Sequence, residues 1–139
     1  MLFGLLLGLA DWKGRKTFEM KEMDWSPALW IGLAQALALV PGVSRSGVTI
    51  TAALVLGFKR EDAARFSFLL SFPIIAGAGA LHLRHLEAAA LTGPFWTAIA
   101  AAALSGAGAI WVLLRWVRTR SLAPFVVYRL ALGILLFFY

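Results

Sequence analysis

The stretch PALWIGLAQALALVPGVSRSGVTITAALVLG, residues 27–57, decides how this chain is organised. Ser26 followed by Pro27 is an N-cap and first-turn pair. It opens an apolar helix that is expected to run to Val40 and stop at Pro41-Gly42. At 1.5 Å per residue that helix reaches about 21 Å, short of a hydrocarbon core of about 30 Å. After the break PGVSRSG a second short apolar helix, Val48 to Gly57, adds about 15 Å before Lys59 and Arg60 return the chain to water. Two half-length helices meeting at a polar, glycine-rich turn predict a re-entrant hairpin over 27–57, which enters the membrane and leaves by the same face.

Composition agrees with a membrane setting. Of 139 residues, 61% are hydrophobic and 14% charged, whereas soluble domains hold about half apolar and a quarter charged residues. The absence of cysteine excludes a disulfide-stapled module. We therefore expect an all-α, polytopic membrane protein in which residues 1–139 form a single membrane domain. MLFGLLLGLA, residues 1–10, lacks the basic n-region of a signal peptide and reaches only about 15 Å as a helix. It reads as a truncated span, with the chain as one half of something larger. Residues 11–26 form a polar loop bordered by Trp12 and Trp25, and full spans are expected over 63–84, with Pro73 as a kink, 95–115 and 122–139. On that layout the hairpin mouth shares its face with Lys13, Arg15, Lys16, Lys21, Lys59, Arg60, Arg65, Arg115, Arg118 and Arg120, while the other face carries Arg84. This asymmetry places the mouth on the cytoplasmic side and Tyr139 outside. The net charge of +6 then reports loops facing an anionic leaflet rather than nucleic acid.

Arg45 needs an explanation, because a guanidinium within the membrane's depth is costly without an anionic partner, and the nearest acids in sequence are Asp24 and Glu61. The turn itself supplies donors: the hydroxyls of Ser44, Ser46 and Thr49, and the backbone N–H groups of Gly47, Val48 and Thr49 at the start of the second helix. An arginine, a glycine-flanked nest and a helix N-terminus suit phosphate. The plainer alternatives are that Arg45 caps carbonyls of the first helix and that the hydroxyls satisfy backbone groups. Gln35, six residues before Pro41, reaches the same turn or bonds another helix. His82 and His85 lie at the far end of their helix and are poor candidates for a base, and Arg65 is expected to pair with Glu61 at i,i+4. The residues describe an anion site without the base that a hydroxyl nucleophile needs or the carboxylates that hold a metal. They fit part of a phosphatase or half of a repeat-built transporter equally.

The run AQALALVPGVSRSGVTITAALVLGFKREDAARFSFLLSFPIIAGA resembles the second signature region of the bacterial undecaprenyl-diphosphate phosphatase, or bacitracin-resistance, family. The family's motif PGxSRSGxT is present as Pro41, Gly42, Ser44, Arg45, Ser46, Gly47 and Thr49. The resemblance implies one half of an inverted-repeat architecture, corresponding to the family's C-terminal half, in a multi-pass protein of the bacterial plasma membrane. The implied activity is hydrolysis of undecaprenyl diphosphate to undecaprenyl phosphate and inorganic phosphate in recycling of the cell-wall carrier lipid. The alternative is a lipid-phosphate transporter or flippase half, or an inactive fragment. By resemblance Arg45 and Ser44 are the catalytic candidates, and Arg45, Ser44, Ser46, Gly47, Thr49 and Gln35 the substrate-binding ones. The family's glutamates lie in a stretch like EGLTEFLPxSSxGH, which this chain lacks, with Gln35 and Leu39 in the equivalent positions of this repeat. A complementary N-terminal half or a homo-oligomer is therefore the expected partner, besides the bilayer and a polyprenyl diphosphate lipid. No metal ligands are legible, and a divalent cation, Mg2+ or Ca2+, is implied by the resemblance alone.

Overall fold

A computed structural model describes residues 2–84 and 92–138. His85, Tyr139 and most of the connection after Arg84 fall outside those residues. The described chain forms α1 (Leu2–Lys13), α2 (Trp25–Gln35), α3 (Arg45–Val55), α4 (Arg60–Leu83), α5 (Gly93–Thr119) and α6 (Ala123–Phe138), with short 3-10 turns at Met20–Glu22 and Ala36–Leu39. No strand occurs among the described residues, only an isolated bridge between Phe18 and Phe58. The fold is all-α.

The helix boundaries follow local chemistry and differ from expectation by a few residues: α1 runs to Lys13, inside the expected loop, α4 starts at Arg60 and α5 covers Gly93–Thr119, and the hairpin departs as follows. α2 begins at Trp25 behind an extended Asp24, so Pro27 sits in its first turn, where a missing N–H costs nothing. The helix tightens to 3-10 geometry over Ala36–Leu39 and ends at an extended Val40, the conformation a following proline imposes. Gly42 then takes φ +85°, a left-handed turn that a side chain would strain. α3 starts at Arg45, three residues earlier than expected, because Ser44 is extended and caps it: Ser44 Oγ accepts from Gly47 N at 3.2 Å.

α3 is the hub. It packs against α1, α2 and α4, while α6 lies on α1 and α5 on α4. Ala53 and Leu54 of α3 are fully buried among Leu7 and Ala10, Ile31, Phe58, Ala63 and Ala64, Val117, Leu122 and Val126, so every helix contributes to one cluster. The cluster sits at the end of the bundle where the charged residues gather. Asp11, 5% exposed, accepts from Leu122 N at 3.0 Å and pairs with Arg60 and Lys16, tying the end of α1 to the starts of α4 and α6. Arg118 of α5 holds Glu61 of α4 through two bonds of 2.9 and 2.6 Å. The expected pairing of Glu61 with Arg65 thus gives way to a contact between helices, where Arg118 offers the bidentate fork that a neighbour on the same helix presents less well. The polar loop straps the turn between α3 and α4: Thr17 N and Phe18 N donate to Gly57 O, and Lys59 N donates to Phe18 O. Glu19 accepts from Lys59 and Lys21 there, and those ammonium groups lower its pKa to about 2.

Beyond this cluster α4 and α5 project as apolar rods. At 1.5 Å per residue their 24 and 27 residues reach about 36 and 40 Å, and both are long and apolar enough to cross a membrane. Nothing in the apolar window of α5 is buried. Its Trp96, Leu104 and Trp111 are exposed, as are Phe72 and Ile75 of α4. Monomeric soluble proteins do not tolerate apolar faces on this scale, so they belong in lipid or against another protein surface. α4 runs through Pro73 as one helix. The described part of α6, 16 residues, covers about 24 Å, less than the full span expected there.

Candidate functional site

The turn that joins α2 to α3 is built from the α3 side. With Ser44 as N-cap, the first turn of α3 carries a half-buried Arg45, an exposed Ser46 and a buried Gly47, and Ser46 Oγ lies 3.4 Å from Ser44 Oγ. Two of the backbone donors expected to be free are occupied, because Gly47 N meets Ser44 Oγ and Val48 N meets Ser44 O at 2.9 Å. What remains facing outward is the pair of serine hydroxyls and the start of the helix.

Beside them opens a cavity of about 280 Å3, lined by Ser44, Ser46, Gly47 and Ile50, by Leu113 of α5 and by Phe125, Tyr128 and Arg129 of α6. Polar groups thus line one part of the cavity and apolar groups the rest. Arg129 defines the polar part together with the serines. A Cβ placed on Gly47 would lie 2.9 Å from its Nη1 and 3.2 Å from Ser44 Cβ, so the guanidinium runs directly against the glycine backbone. Gly47 is therefore the residue that lets α6 bring a cation onto the turn.

Sequence reasoning passes over Arg129, since a single arginine within VVYRLAL blends into an apolar run. The signal was nevertheless there: Arg129 is as costly in a membrane segment as Arg45 and as much in need of an anion. Neither arginine has a carboxylate within salt-bridge distance among the described residues.

The other residues singled out from sequence are distributed as follows. Arg45, the first residue of α3, is half-buried and is not part of the cavity wall. Thr49 shares the Arg45 side of the helix, is 1% exposed, and points its hydroxyl into the interface with α4. Gln35 ends α2 with its Oε1 buried and without a partner among the described residues. That oxygen awaits a donor, so only the NH2 end of the amide suits phosphate. His82 is exposed at the far end of α4.

The groups gathered at the cavity, the hydroxyls of Ser44 and Ser46 and the guanidinium of Arg129, are of the kinds that bind anionic oxygens, while Arg45 stands outside the cavity wall. No three His, Asp or Glu side chains come together among the described residues. Mg2+ and Ca2+ take carboxylate and carbonyl oxygens, so the donors of this turn do not fit such an ion.

Comparison with known proteins shows the chain's relatives. The chain is 56% identical over 135 residues to an undecaprenyl-diphosphatase of Geobacter sulfurreducens, covering 94% of this chain and 50% of that protein. It is 52% identical to the protein of that name in Geobacter metallireducens, covering 99% and 53%, and 46% identical to that of Alcanivorax borkumensis, covering 100% and 54%. The chain spans about half the length of the curated relatives it matches. The family described as Bacitracin resistance protein BacA matches residues 1–135, and the chain belongs to that family.

Proposed function

We propose that this chain forms the phosphate-binding half of a membrane phosphatase that hydrolyses undecaprenyl diphosphate to undecaprenyl phosphate and inorganic phosphate. The single observation that carries the reading is the meeting of the Ser44-capped turn with Arg129 across Gly47, beside a cavity with an apolar wall. A polyprenyl diphosphate has both parts: an anionic head for the serines and arginines, and an isoprenoid tail for Ile50, Leu113 and Phe125. In the reaction water adds to the terminal phosphorus and the bridging oxygen leaves on the lipid phosphate. Charge on the phosphoryl oxygens is what guanidinium and hydroxyl donors stabilise in such a transfer. Arg45 and Arg129 bind the diphosphate, with Ser44 and Ser46 as further donors. The carboxylates that move protons or hold a cation come from a complementary half, or from a second copy in a homo-oligomer. We place the assembly in the bacterial plasma membrane as a multi-pass protein acting in carrier-lipid recycling.

A transporter or flippase half is the second reading, favoured by the lack of a carboxylate among the described residues of the cavity wall. The experiment that separates the two uses this chain co-produced with the N-terminal half of the Geobacter sulfurreducens relative, and measures phosphate released from a polyprenyl diphosphate alongside binding. Binding with release supports the phosphatase; binding without release supports transport. Arg45→Lys keeps the charge but loses the fork that matches phosphate oxygens, and should weaken binding by about 1–3 kcal/mol. Arg45→Ala should bind less still while inserting normally, because an intramembrane charge has been removed. Full binding by Arg45→Ala would make Arg45 a structural cap and exclude it from the site.

A further inference from the structure

The motif that identifies the turn ends at Thr49, yet the hydroxyl of Thr49 is fully engaged elsewhere. A hydroxyl carries one proton. Thr49 Oγ1 lies 3.1 Å from Arg45 O and 3.2 Å from Ser46 O, both of which only accept, so Thr49 is the donor in those contacts. Ser67 Oγ of α4 stands 2.6 Å away, in a contact buried on both sides, with Thr49 1% and Ser67 4% exposed. Either hydroxyl can donate in that contact; the arrangement in which all three contacts are hydrogen bonds has Ser67 as the donor and Thr49 Oγ1 as the acceptor. The chain of bonds runs from Ser67 through Thr49 to the carbonyls of Arg45 and Ser46, the first two residues of α3.

We propose that Ser67 is a positioning residue for the anion site: acting through Thr49, it fixes the first turn of α3 against α4, and Thr49 serves as this link rather than as a phosphate donor. The inference rests on the phosphate reading of the turn for its functional consequence. α4 is a suitable anchor, since its start is held by Glu61 to α5 and by Arg60 to Asp11. A helix end is the part of a helix that frays first, and this one has no long-range bond among the described residues apart from Thr49 to Ser67. Without it, Arg45 and Ser46 would sample orientations that do not converge on one anion, and binding would carry an ordering cost.

The test uses the whole chain co-produced with the N-terminal half of the Geobacter sulfurreducens relative, in detergent micelles with farnesyl diphosphate as probe, and reads two quantities: binding affinity, and amide hydrogen exchange over residues 45–50. Ser67→Ala and Thr49→Val should each speed exchange in that segment and weaken binding by on the order of three- to tenfold, the loss expected for one hydrogen bond. Thr49→Ser, which keeps the hydroxyl, should restore both, and the double variant should be no worse than the weaker single. Faster exchange with unchanged affinity would overturn the positioning role, as would unchanged exchange. Failure of the unaltered chain to bind farnesyl diphosphate would instead sink the phosphate reading and the site role of Ser67 with it, and the exchange data would still report separately whether the brace exists.

Discussion

Gly47 has no side chain to contribute, yet it sets the distance at which α6 approaches the turn. Adding one methyl there places a carbon 2.9 Å from Arg129 Nη1 and 3.2 Å from Ser44 Cβ. The far end of an arginine yields easily, whereas the capping serine is held by its bond to Gly47 N. Gly47→Ala should therefore push the guanidinium off the turn while leaving the helix cap in place. Affinity for farnesyl diphosphate should fall at least as far as in a variant that loses Arg129, Arg129→Met, with little change in thermal unfolding. If Gly47→Ala binds as the unaltered chain does, Arg129 does not work from that position. The same clash explains why Gly47 is more than a helix-breaking spacer: its φ is ordinary, and only the neighbour across the bundle requires it.

At the scale of elements, the outward-facing rods are held together by a small polar knot. Asp11 receives a backbone N–H from Leu122 at the start of α6 and two cations from the loop and α4, so three elements depend on one carboxylate whose side chain is 7% exposed. Asp11→Asn keeps an acceptor for Leu122 N and removes the charge. Breaking a fully buried pair costs about 3–5 kcal/mol, but Arg60 and Lys16 are about a quarter exposed and water recovers part of that. A loss of about 1.5–3 kcal/mol is expected, measured as a lower unfolding temperature in micelles, and an unchanged temperature would show that the knot holds nothing. Such contacts also mark what sequence can and cannot disclose. The turn was legible because proline, glycine and serine encode it within seven residues, and the long spans because apolar runs have a length. The start of α3, by contrast, was misplaced because the capping role of Ser44 is decided by a hydroxyl's direction. Ser67, Asp11, Arg129 and the Glu61–Arg118 pair join residues 18 to 111 positions apart, and no local pattern announces such partners.

For the whole molecule, the question is whether α2 and α3 cross the membrane together or turn back within it. Their lengths favour turning back: 11 residues of α2 with a 3-10 extension of 4 reach about 24 Å, and the 11 residues of α3 about 16 Å. Packing points the same way. The loop before α2 is bonded to the end of α3 through Thr17, Phe18, Gly57 and Lys59, and Asp24, Trp25 and Ala28 share a cleft with Phe66 near the start of α4. The entrance and exit of the hairpin are therefore neighbours, together with Arg118 at the end of α5, which is bonded to Glu61. Because the chain has no cysteine, single cysteines report cleanly. Asp24→Cys, Lys59→Cys and Arg118→Cys should all resist a membrane-impermeant thiol reagent in intact cells and react in inverted vesicles, as the concentration of basic residues at this end requires of a cytoplasmic face. Thr92→Cys, at the opposite end of α5, should do the reverse. If positions 24 and 59 react from opposite sides, the two short helices cross as one interrupted span, and the SRSG turn then lies within a crossing path rather than at the tip of a pocket, the arrangement a transporter half would need.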